Sequence, residues 1–320
     1  MISNMKHILL TGGAGFIGSN LTASLLHDNY TVSCLDNFDS FYSRKQKQVN
    51  VDPFIGNEHY NLIEGDICRK ADIEQIKDVD IIIHLAAKAG VRPSIMDPAT
   101  YQEVNSGGTQ TLLEYARERS IKQFVFASSS SVYGINDNVP WREDEKLLPI
   151  SPYASTKLSC EMMGHVYSHL YGIRFLALRF FTVYGPGQRP DLAIYKFFKS
   201  IINDQPIPVF GDGSTSRDYT FVQDTVQGIK AAVNYKNSIF EIINLGNHRT
   251  VNLLELINSI EEIVGKKAVI NWQPDQPGDV RHTYADISKA KNLLNYKPTT
   301  DLKTGLLAFY EWYKTNSKQF

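Results

Sequence analysis

The sequence lacks any run of about 18 apolar residues, so it offers no helix that could span a bilayer. Charge imbalance is also missing: 33 Lys and Arg stand against 34 Asp and Glu, for a net charge of -1. No basic field exists to draw nucleic acid. Cysteine is scarce, with only Cys34, Cys68 and Cys160, far apart and odd in number. Such spacing makes neither a disulfide framework nor a metal-ligand pattern, and no metal is expected. The opening stretch MISNMKHILLTGG has neither the long apolar core nor the small-residue cleavage site of a secretory leader. A reducing, cytoplasmic setting is expected, with neither nucleic acid nor membrane as partner. Repeats and low-complexity tracts are absent too.

What is present is enough apolar sequence, 42% of 320 residues, to bury a sizeable core in one large or two small domains. Short β-rich runs at 6–11, 31–36, 60–64, 80–85, 122–128 and 174–181 alternate with helical patterns at 15–28, 71–77, 105–119 and 152–171. Near-continuous apolar strands separated by helices predict a parallel sheet covered on both faces, an α/β doubly wound fold of the Rossmann type. Beyond residue 185 the pattern loosens, with Gly and Pro in YGPGQRPD and DQPIPVFGDGSTSRD. Helical patterns resume at 191–203, 223–234, 252–265, 288–294 and 301–315. The expected division is a nucleotide-binding domain over 1–185 and a smaller mixed α/β substrate lobe over 186–320, with a strand near 240–245 returning to the first sheet.

Directly after the first strand comes TGGAGFIG, with Gly12, Gly15 and Gly18 in register; a second G-x-G-x-x-G reading starts at Gly13. Glycines here allow a tight turn and let a pyrophosphate approach the backbone at a helix N-terminus. Phe16 and Ile17 belong to the same turn. Asp36 ends the second strand, where a carboxylate accepts bonds from a ribose 2′-hydroxyl and repels a 2′-phosphate. Asn37 follows it, and DNFDSF holds no cation, so NAD is preferred over NADP. The bland alternative is a glycine-rich turn without a ligand and a surface Asp. Asp66 and Ile67, in GDI, would stand near the adenine. Leu85, Ala86, Ala87 and Lys88 close the fourth strand with mostly small residues that a flat cofactor can approach. Asn105 opens the next helix and reads equally well as an ordinary N-cap; His84 reads as a core histidine.

Tyr153 and Lys157, in SPYASTK, lie four apart and share one helix face. An ammonium beside a phenol favours phenolate, drawing its pKa down from about 10. Most pairs at this spacing are only surface packing. This pair gains weight from ASSSSVYG at 127–134, where four serines end an apolar run. A hydroxyl, a phenolate base and a nicotinamide together oxidise a secondary alcohol.

TGGAGFIG, HLAAKAGV, SSSSVYG, YASTK, RFFTVYGPGQRPD and SRDYTFVQD occur in one order along nearly the whole chain. Together they resemble the extended short-chain dehydrogenase/reductase family, and within it the nucleotide-sugar epimerases. The resemblance implies Tyr153 as catalytic base, Lys157 on the nicotinamide ribose and Ser129 as assisting hydroxyl. Ser128 and Ser130 are neighbours that could share these contacts. Relatives that dehydrate or decarboxylate their sugar carry acids where Ser130 and Ser131 stand. Without such an acid, a 4-keto sugar has no local group to break a further bond, and taking its hydrogen back on the other face is 4-epimerisation.

AGVRPSIMDP and TVYGPGQRPDLA are most like UDP-glucuronate 4-epimerases. That likeness implies conversion of UDP-glucuronate to UDP-galacturonate with NAD recycled. A sugar carboxylate next to a C4 ketone must be held so that carbon dioxide is not lost, and Thr182 is a candidate anchor. Arg92 and Arg189 are candidate oxyanion clamps, each with a solvated surface residue as its alternative. Arg217 and Arg281 resemble the family's diphosphate-binding arginines. Lys88 and Pro93 depart from the expected pattern and keep a UDP-glucose/UDP-galactose 4-epimerase open. A non-catalytic NAD-binding sensor or scaffold is the alternative of another class. The family likeness also implies a homodimer paired through the helices at 105–119 and 152–171.

Overall fold

Seven of the apolar runs become strands of one sheet because they have no polar face to offer solvent: Ile81, Ile82 and Ile83, for example, are all buried. A computed structural model describing residues 5–274 and 280–319 contains twelve strands and twelve α-helices among those residues. The first four residues of the opening stretch, on which the leader reading partly rested, lie outside the described residues. The strands are β1 His7–Thr11, β2 Thr31–Asp36, β3 Tyr60–Glu64, β4 Ile81–His84, β5 Gln123–Ser129, β6 Arg174–Phe180, β7 Thr182–Tyr184, β8 Ile207–Phe210, β9 Ser216–Phe221, β10 Phe240–Leu245, β11 Thr250–Asn252 and β12 Ile270–Gln273. The first six helices are α1 Phe16–His27, α2 Arg44–Val51, α3 Lys70–Glu74, α4 Val91–Met96, α5 Pro98–Tyr101 and α6 Gly108–Glu118. The others are α7 Pro152–Tyr171, α8 Ala193–Ile202, α9 Val222–Asn234, α10 Leu253–Val264, α11 Ser288–Leu294 and α12 Leu302–Asn316.

The large sheet runs in the order β10-β6-β5-β4-β1-β2-β3, and every pairing in it is parallel. That is the doubly wound arrangement, in which the strand order reverses beside β1 and a crevice opens at the carboxyl ends of the strands. The strand at 240–245 joins this sheet against β6 in register Phe240 to Phe175. Two small sheets, β11-β9-β7 and β12-β8, lie among the carboxy-terminal elements.

Three features differ from the sequence expectation. Helix α2, RKQKQVNV, has almost no apolar residues to mark it; it forms because its few inward groups, Gln46, Lys47, Asn50 and Val51, are buried by tertiary contacts. Strands β8 and β9 sit inside the stretch read as Gly- and Pro-punctuated connection, and they pair with distant partners, β12 and β11 with β7. Asn105 does not open a helix: the chain is already helical from α5 and continues through a π-helical turn, Gln102–Gly107, into α6.

One polar group of contacts crosses the core. Arg179 on β6 grips Glu161 on α7 with two bonds, Nε to Oε1 at 2.9 Å and Nη2 to Oε2 at 2.8 Å. The side chains are 1% and 0% exposed. Ser128 at the end of β5 donates to the same carboxylate at 2.5 Å. Breaking one half of such a pair strands a buried charge at a cost of about 3–5 kcal/mol, whereas replacing both by apolar groups of like volume is far less harmful. Glu161→Ala is therefore expected to lower the unfolding free energy by about 3–5 kcal/mol, and the double change Glu161→Leu with Arg179→Met by clearly less. Urea titrations of the three proteins measure this.

Candidate active site

The chain turns sharply out of β1 at Gly12, whose φ is +74°. A Cβ there would stand 2.7 Å from the Ala86 nitrogen, and one on Gly18 would stand 2.3 Å from the Gly12 oxygen. Both glycines are thus required by the close approach of β1, α1 and the end of β4. Gly15 is different. A methyl at Gly15 would meet only the Gly12 oxygen, at 3.1 Å, because its outer face opens into the cleft. No side chain caps the start of α1, so its first-turn amides point at that opening as an anion cradle.

One continuous cleft is lined by Gly12, Gly15, Phe16, Ile17, Gly18, Asp36, Asn37, Asp66, Ile67, Leu85, Ala86, Ala87 and Lys88 at one end, and by Ser128, Ser129, Ser130, Tyr153, Lys157, Thr182 and Arg189 at the other. Asp36 accepts from Ala14 N at 3.1 Å and Phe38 N at 2.8 Å; these bonds suit a carboxylate, although burial pushes its pKa up. Asn37 donates to Asp66 at 3.1 Å. Lys88 pairs with Asp39 at 2.7 Å.

The sequence around Asp36 holds no cation, yet the fold brings one: Lys47 of α2 places Nζ 3.8 Å from the Asp36 carboxylate. Lys47 is 5% exposed and lines the cleft. Tyr42 lines it as well, with a buried hydroxyl that has no hydrogen-bond partner among the described residues. Sequence reasoning missed both residues. Their distance in sequence from Asp36 follows no rule, and only the docking of α2, through Asn50 to Ala14 O at 3.0 Å and Gln46 to Gln188 O at 3.0 Å, brings them there. The open face at Gly15, the uncapped helix start and the Asp36 carboxylate fit the pyrophosphate and adenosine ribose of a dinucleotide.

At the other end, Tyr153 and Lys157 project from the first turns of α7, which starts with Ser151 capping Ala154 N at 3.2 Å and Pro152 at its first position. Lys157 donates to Ala127 O at 2.7 Å and is buried. Its other two N–H groups have no protein acceptor among the described residues. Burial pulls its pKa down to about 8. The Tyr153 phenol is pushed up by burial, while a hydrogen bond with Ser129 and the charge of Arg189 pull it down. Lys157 was expected to be the group lowering it; in the structure Lys157 turns to the β5 carbonyl, 5.9 Å from the Tyr153 ring centre.

The four serines separate by function. Ser128 is spent on Glu161, so its hydroxyl is turned into the core although the residue borders the cleft. Ser129 faces Tyr153 and bonds Ser131 Oγ at 3.1 Å. An acid does stand close to the serine run, but it is Glu161, neutralised by Arg179 behind the wall.

Four expected contacts lie away from the cleft lining. Asn105 is buried behind it. Its Oδ1 accepts from Lys88 N at 2.8 Å and its Nδ2 donates to Lys88 O at 3.1 Å and Thr156 at 3.0 Å. It satisfies the irregular backbone after β4 that sheet pairing leaves open. Arg92 stacks over Phe210, 5.0 Å from the ring centre. Arg217 donates to the Arg281 carbonyl at 3.1 Å, so these two arginines meet each other among the carboxy-terminal strands. His84 is a core residue held by Thr11 at 2.7 Å and Thr109 at 3.0 Å, with burial drawing its pKa down to about 3.

A doubly wound sheet with a glycine turn at β1 and a Ser–Tyr–Lys group at the crevice defines a nucleotide-dependent enzyme of the extended short-chain dehydrogenase/reductase class. Residues 9–308 match the family described as GDP-mannose 4,6 dehydratase, and the chain belongs to that family. It is 38% identical over 317 residues to a UDP-glucuronate 4-epimerase of Thermodesulfobacterium geofontis, covering 98% of this chain and 97% of the other. The UDP-glucuronic acid 4-epimerase of Bacillus cereus, solved with UDP-glucuronic acid and NAD, superposes with a TM-score of 0.91 at 40% identity, covering 97% of this chain and 99% of that one. A UDP-glucose 4-epimerase of Thermotoga maritima, solved with UDP-glucose, gives a TM-score of 0.89 at 32% identity, covering 97% and 99%.

The Arg189 charge favours the phenolate of Tyr153. Removing it raises the Tyr153 pKa, so the base form is reached only at higher pH. Arg189→Gln is expected to move the acidic limb of the kcat/KM profile for a UDP-sugar upward in pH, with Arg189→Lys closer to the unmodified protein. A limb that stays in place would separate Arg189 from the base.

Proposed function

We propose that the chain is an NAD-dependent UDP-glucuronate 4-epimerase, interconverting UDP-glucuronate and UDP-galacturonate. The observation that carries this reading is the end of the cleft, where Tyr153 and Ser129 stand with Thr182 and Arg189 while serines 130 and 131 replace any acid. NAD, which the glycine turn, the α1 amides and Asp36 would hold, would supply hydride-acceptor and hydride-donor chemistry toward C4 of the sugar. Tyr153 takes the proton of the C4 hydroxyl as the ketone forms and gives it back when the alcohol is restored. Ser129 holds the same oxygen, and Lys157 donates to the cofactor ribose. Thr182 and Arg189 hold the sugar carboxylate out of line with the C4 carbonyl, which keeps carbon dioxide in place. Arg217 and Arg281 reach for the diphosphate from the 186–320 lobe, while residues 1–185 carry the dinucleotide. Asp36 favours NAD, since its carboxylate occupies the place a 2′-phosphate would need.

A second reading, 4-epimerisation of UDP-glucose, is favoured by Lys88 and Pro93, which depart from the UDP-glucuronate 4-epimerase pattern. A pure NAD sensor would have no use for the Ser129, Tyr153 and Lys157 grouping. The test is incubation of the NAD-loaded protein with UDP-glucuronate and, separately, UDP-glucose, with products followed by NMR. UDP-galacturonate is expected from the first, and Tyr153→Phe should slow its formation by about 10²–10⁴-fold, the usual share of general acid–base catalysis. Turnover of UDP-glucose alone would select the second reading.

The setting proposed is cytoplasmic; among the described residues no helix is long and apolar enough to cross a membrane. The assembly proposed is a homodimer. Helix α7 exposes Met162, Val166 and Leu170, at 47%, 48% and 59%, one turn apart along a single stripe. Such a stripe on a 20-residue helix suits burial against its own copy about a two-fold axis. Light scattering should give twice the chain mass, and Val166→Glu with Leu170→Glu should give a folded single chain. A single-chain mass for the unmodified protein would defeat the proposal.

A further inference from the structure

The loop between β7 and α8 is fastened to the dinucleotide side. Asn20 of α1 donates to Pro186 O at 2.9 Å, and Gln46 of α2 to Gln188 O at 3.0 Å. The loop therefore presents Arg189 to the cleft from a fixed base. Its guanidinium lies 5.4 Å from the centre of the Phe41 ring. Nε and Nη2 donate to the two oxygens of Asp191 at 3.0 and 2.9 Å.

Arg189 lines the cleft and Asp191 does not. An Asp just ahead of a helix often serves that helix, by capping or by its dipole. Here both carboxylate oxygens go to Arg189, and α8, which begins at Ala193, has no side-chain cap. We propose that Asp191 is a specificity-determining residue that holds the guanidinium of Arg189 as a stand-in for a sugar carboxylate and gives it up when UDP-glucuronate binds. This rests on the UDP-glucuronate reading above.

The chemistry follows from exchange of like for like. A two-toothed guanidinium–carboxylate pair is traded for another, so a sugar acid can take over Arg189 without leaving it unpaired. The hydroxymethyl group of a neutral hexose offers no charge and cannot displace the Asp191 fork. The pair is 20% and 32% exposed, within reach of solvent, so it is of the weak, displaceable kind and not a locked core bridge. Asp191 thus acts through Arg189 as a competitor: it keeps the arginine paired between turnovers, and its charge weakens the binding of an anionic sugar while leaving a neutral hexose nearly unaffected.

The experiment measures binding of UDP-glucuronate and UDP-glucose to the NAD-loaded protein by calorimetry, with KM and kcat for both, in the unmodified chain, Asp191→Asn and Asp191→Glu. Removing the competing charge should tighten UDP-glucuronate by about three- to fivefold, the scale of one exposed pair. UDP-glucose should shift by less, so the ratio of the two constants rises, and Glu should restore it. Weaker UDP-glucuronate binding in the Asn variant would make Asp191 a prop for Arg189 and overturn the proposal. An equal shift for both sugars would reduce it to a fold effect and also overturn it. If the unmodified protein binds UDP-glucuronate without epimerising it, the functional reading fails while the binding ratio still decides the role of Asp191. If it does not bind UDP-glucuronate at all, both fall.

Discussion

The buried pair of Glu161 and Arg179 is the contact on which the chemical end of the cleft depends. Glu161 lies one turn beyond Lys157 on α7, and Arg179 pairs in register with Ser128 across β5 and β6. The pair therefore fixes the helix carrying Tyr153 and Lys157 against the strand carrying Ser129. It is extended on one side by Arg179 stacking on Tyr133, 4.8 Å from the ring centre. From there the Tyr133 hydroxyl donates to Asn244 of β10 at 2.7 Å. An oily replacement could hold α7 to the sheet equally well. A directional, two-toothed pair also fixes its rotation and its height along the strands, and with them the placing of Tyr153 against Ser129.

The cleft itself is a balance between burial and charge. Burial alone would keep Tyr153 neutral as a phenol and drive a proton off Lys157. Ser129 and Arg189 work in the opposite direction on Tyr153. The Tyr153 phenol is thus tuned by the arginine of the loop before α8 as well as by its own burial. Arg189 thus bears electrostatically on Tyr153 while Asp191 of the same loop holds its guanidinium.

Much of this was legible in the residues. The six early strands, the strand at 240–245, the glycine turn and the one-face pairing of Tyr153 with Lys157 are all properties of local spacing. Helix α2 was not legible, because RKQKQVNV has no apolar period and its burial comes from polar side chains meeting distant backbone. Lys47 went unseen with it, and with Lys47 the cation beside Asp36. Asn105 was read by its place near a helical pattern, whereas its amide serves the backbone of Lys88, a contact no local rule encodes. The β8 and β9 stretches looked like connection because their partners lie tens of residues away.

By itself the sequence determined which segments are strands or helices and which side chains share a helix face, since periodicity and glycine conformations act over a few residues. Family likeness then tied those motifs to a reaction. Only the tertiary structure decided which of four serines faces Tyr153, that the acid near them is already paired, that Lys157 turns to a strand carbonyl and that Arg189 is held by Asp191. Those outcomes depend on hydrogen bonds and charges between segments far apart in the chain. Their partners are chosen by packing, and packing exists only once the sheet and α7 have met.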